Sequence, residues 1–139
     1  MKHFRASIDI GSNSLNLLLA EVLGPCELRE IKSESFVTQL GKGVQATGVL
    51  AEENLLETYK ALAHCKHEAE KLGISANNIL AVATEASRVA SNSTLFYEKV
   101  QRELGIVVKI ISGDQEAKLS ALAGRAGKVS PYSPLWTWV

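Results

Sequence analysis

Apolar runs separated by small polar residues divide the chain into short elements. Residues 4–10 read as an apolar strand that delivers Asp9 into a turn of Gly11, Ser12, Asn13 and Ser14. The run 15–22 behind it reads as a second strand, so the pair closes a hairpin. Gly24-Pro25 marks a turn, and residues 26–40 mix scattered charges with β-formers, which suits a solvent-facing strand near a sheet edge. Small-residue turns at 40–43 and 47–48 close this meander. From 52 to 72, Leu55, Tyr59, Leu62 and Ala69 recur at helical spacing with Leu56 and Ala63 on the adjoining stripe, which predicts an amphipathic helix. Glu52 and Glu53 suit the positive end of its dipole, and Gly73 stands where a C-terminal glycine is expected.

Residues 79–83 are a continuous apolar run, as expected of a strand covered on both faces. Residues 83–90 leave that strand and turn helical. Asn92 or Ser93 is positioned to cap a further helix, with Phe96 or Tyr97, Val100 and Leu104 on its core face and Gly105 as its stop. Residues 106–111 predict the next buried strand. Ser112 and Gln115 match a capping box, and the helix they open runs through Glu116, Ala117, Leu119 and Leu122 to Gly124. A Gly, Ser and Pro linker over 127–134 and a strand over 135–139 follow.

Strands alternating with helices in the second half require parallel pairing through right-handed crossovers, whereas the opening meander is antiparallel. The expected class is α/β: a mixed sheet of five or more strands with helices on its faces. Residues 1–127 form the domain, and 128–139 a linker and terminal strand.

Composition narrows the functions. Fifteen basic and fifteen acidic residues cancel, so net charge draws the chain to neither nucleic acid nor an anionic membrane, and a polyanion would have to be met locally. No apolar stretch reaches the length of a membrane span, and the first four residues run into a strand without a signal-peptide core. The isolated Cys26 and Cys65 fit reduced thiols, so a cytoplasmic protein is expected. His64, Cys65 and His67 lack the further Cys or His that a tetrahedral metal site needs, and read as solvent-facing helix residues.

In such a sheet, ligands collect at the carboxyl ends of the parallel strands. Three polar clusters stand there: 9–14, 84–88 and 112–116. Asp9 suits a divalent metal, and the small residues behind it let backbone N–H groups approach an anion. Arg88 offers a planar guanidinium to a phosphate. Glu116, one turn into its helix, can orient or deprotonate a water, with Asp114 competing for that role. Each also has an ordinary reading: a hairpin turn, a solvated arginine, carboxylates that complement a helix dipole.

Four ordered segments carry a family resemblance: 8–14 followed by Leu17-Leu18, 40–43 with Thr47-Gly48, 83–92, and 111–117. Over residues 4–122 the chain resembles the exopolyphosphatase and guanosine pentaphosphate phosphatase family, within the sugar kinase, heat-shock protein 70 and actin superfamily. The resemblance implies a ribonuclease H-like domain, with Asp9, Gly11, Ser12 and Asn13 as phosphate and metal loop. It also implies Arg88 on substrate phosphate, Glu116 as catalytic base, Mg2+ as cofactor, and inorganic polyphosphate or guanosine pentaphosphate as substrate. Two segments depart: Gln39 stands where the family commonly has Arg, and Asp114-Gln115 replaces an acidic pair. The family continues into a second phosphate loop and domain, so these residues alone are expected to be nearly inactive. A different class stays open, a non-catalytic polyphosphate or nucleotide binder, or a module that self-associates as a homodimer through the strand bearing Trp136 and Trp138.

Overall fold

The computed structural model describes residues 3–25 and 27–115. Their elements follow in the order β1 (His3–Ile10), β2 (Ser14–Gly24), β3 (Glu27–Val37), α1 (Val44–Thr47), α2 (Glu52–Lys71), a 3-10 turn (Ala76–Asn78), β4 (Leu80–Ala83), α3 (Glu85–Val89), α4 (Ser93–Leu104) and β5 (Val108–Ile110). The five strands form one sheet in the order β3-β2-β1-β4-β5.

β1 turns back on β2 through residues 11–13, where Gly11 N–H donates to the Ser14 carbonyl at 2.9 Å, and the hairpin pairs His3 with Val22 down to Ile10 with Leu15. β3 adds antiparallel to β2 as the charged edge strand the sequence predicts, whereas β4 joins β1, and β5 joins β4, in parallel. The mixed α/β sheet is therefore as expected.

Strand alternation turns Ala6, Ile8 and Ile10, then Leu15, Leu17 and Leu19, to one face. With Ala81 and Ala83 they form a single core against Leu62, Cys65 and Ala69 of α2 and Phe96, Tyr97 and Val100 of α4. Fully burying a side chain such as Leu17 or Leu62 stabilises the fold by about 2 kcal/mol relative to exposure. β4 is buried at all four positions, as its continuous apolar run requires.

Four expectations need correction. On α2, Leu62 and Ala69 are buried and Leu55 and Tyr59 pack half-buried against the core as expected, but the buried stripe also takes in Asn54, Thr58, Ala61, Cys65 and Glu68, while Leu56 is 53% exposed and Ala63 half-buried. The helix is rotated because its buried polar groups have partners, and bonded polar groups can be buried. Thr58 Oγ1 donates to the Asn54 carbonyl at 2.8 Å, and the Glu68 carboxylate holds the Lys32 and Lys71 ammonium groups. Cys65, expected at the surface with His64 and His67, lies on that stripe, and burial pushes its thiol up to about 12; the two histidines are exposed.

The fifth strand is a three-residue edge instead of a buried run. Among the described residues β4 alone flanks it, and Lys109 and Ile110 are exposed there, while Ile106 and Ile111 on either side are buried. Asn92 occupies the N-cap position of α4 without capping it. Its side chain accepts from Leu50 N–H at 2.8 Å and donates to the Leu50 carbonyl at 3.0 Å, tying α4 to the approach to α2. The Ser93 hydroxyl donates to the Ser87 carbonyl at 2.6 Å.

The predicted linker, the terminal strand with Trp136 and Trp138, Glu116 and Cys26 all lie outside the described residues. Among those described, no helix is long and apolar enough to cross a membrane.

Candidate functional site

The three parallel strands finish level. Ile10, Ala83 and Ile110 are successive register partners, so at a spacing of about 4.8 Å their ends lie within roughly 10 Å of one another. The segments beyond them share one edge of the sheet: the turn 11–14, the start of α3, and the residues opening at Ile111. Asp9 sits one residue before the end of β1 on the face opposite Ile8 and Ile10, and is exposed.

Backbone bonds fix these segments to each other. Thr84 N–H donates to the Ile10 carbonyl at 3.1 Å, and its hydroxyl reaches the same oxygen at 3.4 Å. The Thr84 carbonyl then accepts from Ser87 and Arg88 N–H, which starts α3 immediately. Ile111 N–H donates to the Ala83 carbonyl at 3.0 Å, and Arg88 returns Nη1 to the Ile111 carbonyl at 2.7 Å. Beyond it the predicted capping box is made in both directions: Gln115 N–H donates to Ser112 Oγ at 3.1 Å and Ser112 N–H to Gln115 Oε1 at 2.9 Å. Asp114 is exposed in that first turn.

A fourth segment packs on the first. The carbonyl of Asn13 accepts from Thr38 N–H at 3.2 Å and Gln39 N–H at 3.0 Å, and the carbonyl of Ser12 accepts from Gly41 N–H at 2.8 Å. The approach demands glycine at 41, where a Cβ would lie 2.8 Å from Ser12 Cβ. Gln39 takes φ 49°, a left-handed conformation that costs a residue with a Cβ about 1 kcal/mol. Sequence reasoning marked 40–43 as a turn and missed that it lies against the acidic hairpin. The small residue at 41 was the available signal.

The structure thus brings Asp9, Gly11, Ser12, Asn13 and Arg88 to one rim, and the described chain stops one residue short of Glu116. The donor set there, a carboxylate, serine hydroxyls and an amide, is of the hard-oxygen kind that suits Mg2+.

A second polar cluster was not foreseen. Glu34 on β3 and His64 and Glu68 on α2 bring ligand atoms within 4.8 Å of one another. Lys32 Nζ already supplies the cation, engaging Glu68 and, at 3.2 Å, Glu34. His64 Nε2 lies 3.1 Å from Glu34 Oε1. Hydrogen bonds from Lys32 and Lys71 hold the Glu68 carboxyl down to about 2. Burial pushes the Glu34 carboxyl up, but His64 and Lys32 outweigh it and leave it lowered. Glu34 pairs with Leu17, well along β2 from Ser14, so this network braces β3 on α2 away from the rim.

A mixed sheet whose acidic hairpin meets two polar helix starts at its parallel ends defines a ribonuclease H-like domain of the actin-like ATPase class. The crystal structure of an Aquifex aeolicus member of the Ppx/GppA protein family superposes with a TM-score of 0.81 at 36% identity, over 91% of this chain and 40% of that one. The chain belongs to the Ppx/GppA phosphatase family, whose model matches residues 7–130. It is 38% identical over 120 residues to the bifunctional 3-dehydroquinate synthase/phosphatase of Fusobacterium nucleatum, covering 84% of this chain and 18% of that protein. It is 36% identical over 128 residues to exopolyphosphatase 2 of Mycobacterium tuberculosis, covering 83% and 38%. The chain therefore spans well under half the length of these relatives.

Proposed function

We propose that residues 1–127 form the first domain of a phosphoanhydride hydrolase that removes terminal phosphate from inorganic polyphosphate with Mg2+. The observation that carries this reading is the level finish of β1, β4 and β5, which puts the 11–14 turn, Arg88 and the helix start at Ser112 on one edge. In this reading Asp9 holds the metal, and Gly11, Ser12 and Asn13 direct N–H and side-chain donors at a phosphate. Arg88 neutralises a second phosphate oxygen while Ile111 fixes its guanidinium. Glu116 receives a proton from the attacking water. The metal, when bound, supplies charge neutralisation on the phosphate oxygens.

Phosphoryl transfer asks little covalent work of the protein, so positioning and electrostatics dominate. Groups converging from both sides of a cleft usually supply most of the rate. The 139 residues are therefore proposed to bind polyphosphate without appreciable turnover.

Calorimetric titration of the chain with tripolyphosphate, with and without Mg2+, tests the reading. Metal-dependent binding that weakens in Asp9→Ala and Arg88→Ala is expected, and no binding would refute it. Phosphate release from long polyphosphate, abolished by Glu116→Gln, would refute the proposed inactivity alone. Guanosine pentaphosphate is the competing ligand, and a clear preference for it in the same titration would transfer the assignment to that substrate.

A further inference from the structure

The turn that packs on residues 12 and 13 is itself gripped from behind. Asn54 of α2, only 6% exposed, donates Nδ2 to the Gln39 carbonyl and, at 3.4 Å, to the Thr38 carbonyl. On its other side the same turn gives the N–H groups of Thr38 and Gln39 to the Asn13 carbonyl and that of Gly41 to the Ser12 carbonyl. The Thr38 hydroxyl is buried without a hydrogen-bond partner, and Gln39 sits at φ 49°. Neither feature stabilises the turn. It closes on itself where Lys42 N–H donates to the Gln39 carbonyl at 3.0 Å, and its orientation then depends on bonds made to it from outside, of which Asn54 supplies those on the helix side.

Planarity extends the grip to the rim. In a trans peptide the carbonyl and the following N–H point in opposite directions. Turning the Ser12 and Asn13 carbonyls onto the 38–41 turn therefore faces the N–H groups of Asn13 and Ser14 away from it. We propose that Asn54 is a positioning residue for the phosphate loop: by fixing the 38–41 turn it fixes which way these two peptides face, and so where their N–H groups meet an anion. This rests on the reading of residues 11–14 as that loop.

The test uses the 139-residue chain with Asn54→Ala and Asn54→Asp; the latter keeps the size and, ionised, lacks the donor. Thr58→Ala is the control, because its hydroxyl bonds only the Asn54 carbonyl within α2. Amide exchange without ligand is read at residues 12–14 and 39–41, and tripolyphosphate binding with Mg2+ is titrated well below each thermal midpoint. Both Asn54 variants are expected to speed exchange at those amides about tenfold and to weaken tripolyphosphate about tenfold, the size of losing one net hydrogen bond, since the Gln39 carbonyl keeps its bond from Lys42 N–H at 3.0 Å. Exchange in the middle of the hairpin, at Leu17, stays as in the parent, and the control loses stability with neither effect. Unchanged exchange at 39–41 in Asn54→Ala, or equal weakening in the control, overturns the proposal. If the parent chain binds no tripolyphosphate, the phosphate-loop reading fails, and the exchange data still decide whether Asn54 holds the turn.

Discussion

Arg88 Nη1 donates to the carbonyl of Ile111 at 2.7 Å, so one side chain joins the first turn after β4 to the end of β5. That bond aims the half-buried guanidinium along the rim. Arg88→Lys keeps the charge and loses the planar fork. We expect it to lower stability by about 1 kcal/mol, the net worth of one hydrogen bond, and to weaken tripolyphosphate more than its retained charge would suggest. Thermal melts and calorimetry on the same samples separate the two effects.

Gly41→Ala is a sharper probe of the hairpin turn. Its Cβ would meet Ser12 Cβ at 2.8 Å, and the backbone on both sides is hydrogen-bonded, so the contact has little room to relax. A destabilisation of about 2 kcal/mol is expected, in the range for overpacking. Gly24→Ala, where nothing lies within 4 Å, is the near-neutral comparison in a chemical denaturation series.

Stability should form a plateau with two different edges. The Glu68 carboxyl is depressed from 4.5 to about 2 by Lys32 and Lys71, so its contribution is complete above pH 4.5 and is lost as pH falls towards 2. Burial raises the Cys65 thiol from 9.0 to about 12, so its contribution is complete below pH 9 and is lost as pH rises towards 12. Melting temperatures taken across pH should decline on both sides of that window. Glu68→Gln should flatten the acid limb and soften the alkaline one in part, because the Glu68 carboxylate also raises Lys32 and adds to the rise of Cys65.

The same burial makes Cys65 chemically quiet. In a Cys26→Ser background, where it is the sole thiol, its labelling by a thiol reagent should be at least about a thousandfold slower in the folded chain than in denaturant, because opening must precede reaction. Fast labelling under native conditions would show that α2 does not cover it.

Local patterns were legible wherever a residue's neighbours in sequence decide its state. The hairpin, the doubly buried β4, the charged edge β3 and the Ser112–Gln115 box follow from alternation, apolar runs and capping chemistry. What escaped was set by partners far along the chain. Asn54 turns inward because the carbonyl of Gln39, 15 residues away, receives it, and Asn92 leaves its cap for Leu50, 42 residues away. Glu68 is buried because Lys32, 36 residues earlier, meets it. An apolar count sees none of these bonds and so rotates α2 towards Leu56. For the candidate site, the motifs indicated which segments belong together, but the contact of the 38–41 turn with residues 12 and 13 was not visible in them.

β1 is shared by two kinds of neighbour, and this gives the rim a history during folding. Its pairing with β2 closes a short loop, whereas Thr84 must reach the Ile10 carbonyl from 74 residues away. Short loops close with the smaller entropic penalty, and the N-terminal portion leaves the ribosome first. The acidic hairpin should accordingly take shape while the segment bearing Arg88 is still being synthesised, and anion affinity should emerge only in the final docking of β4 and β5.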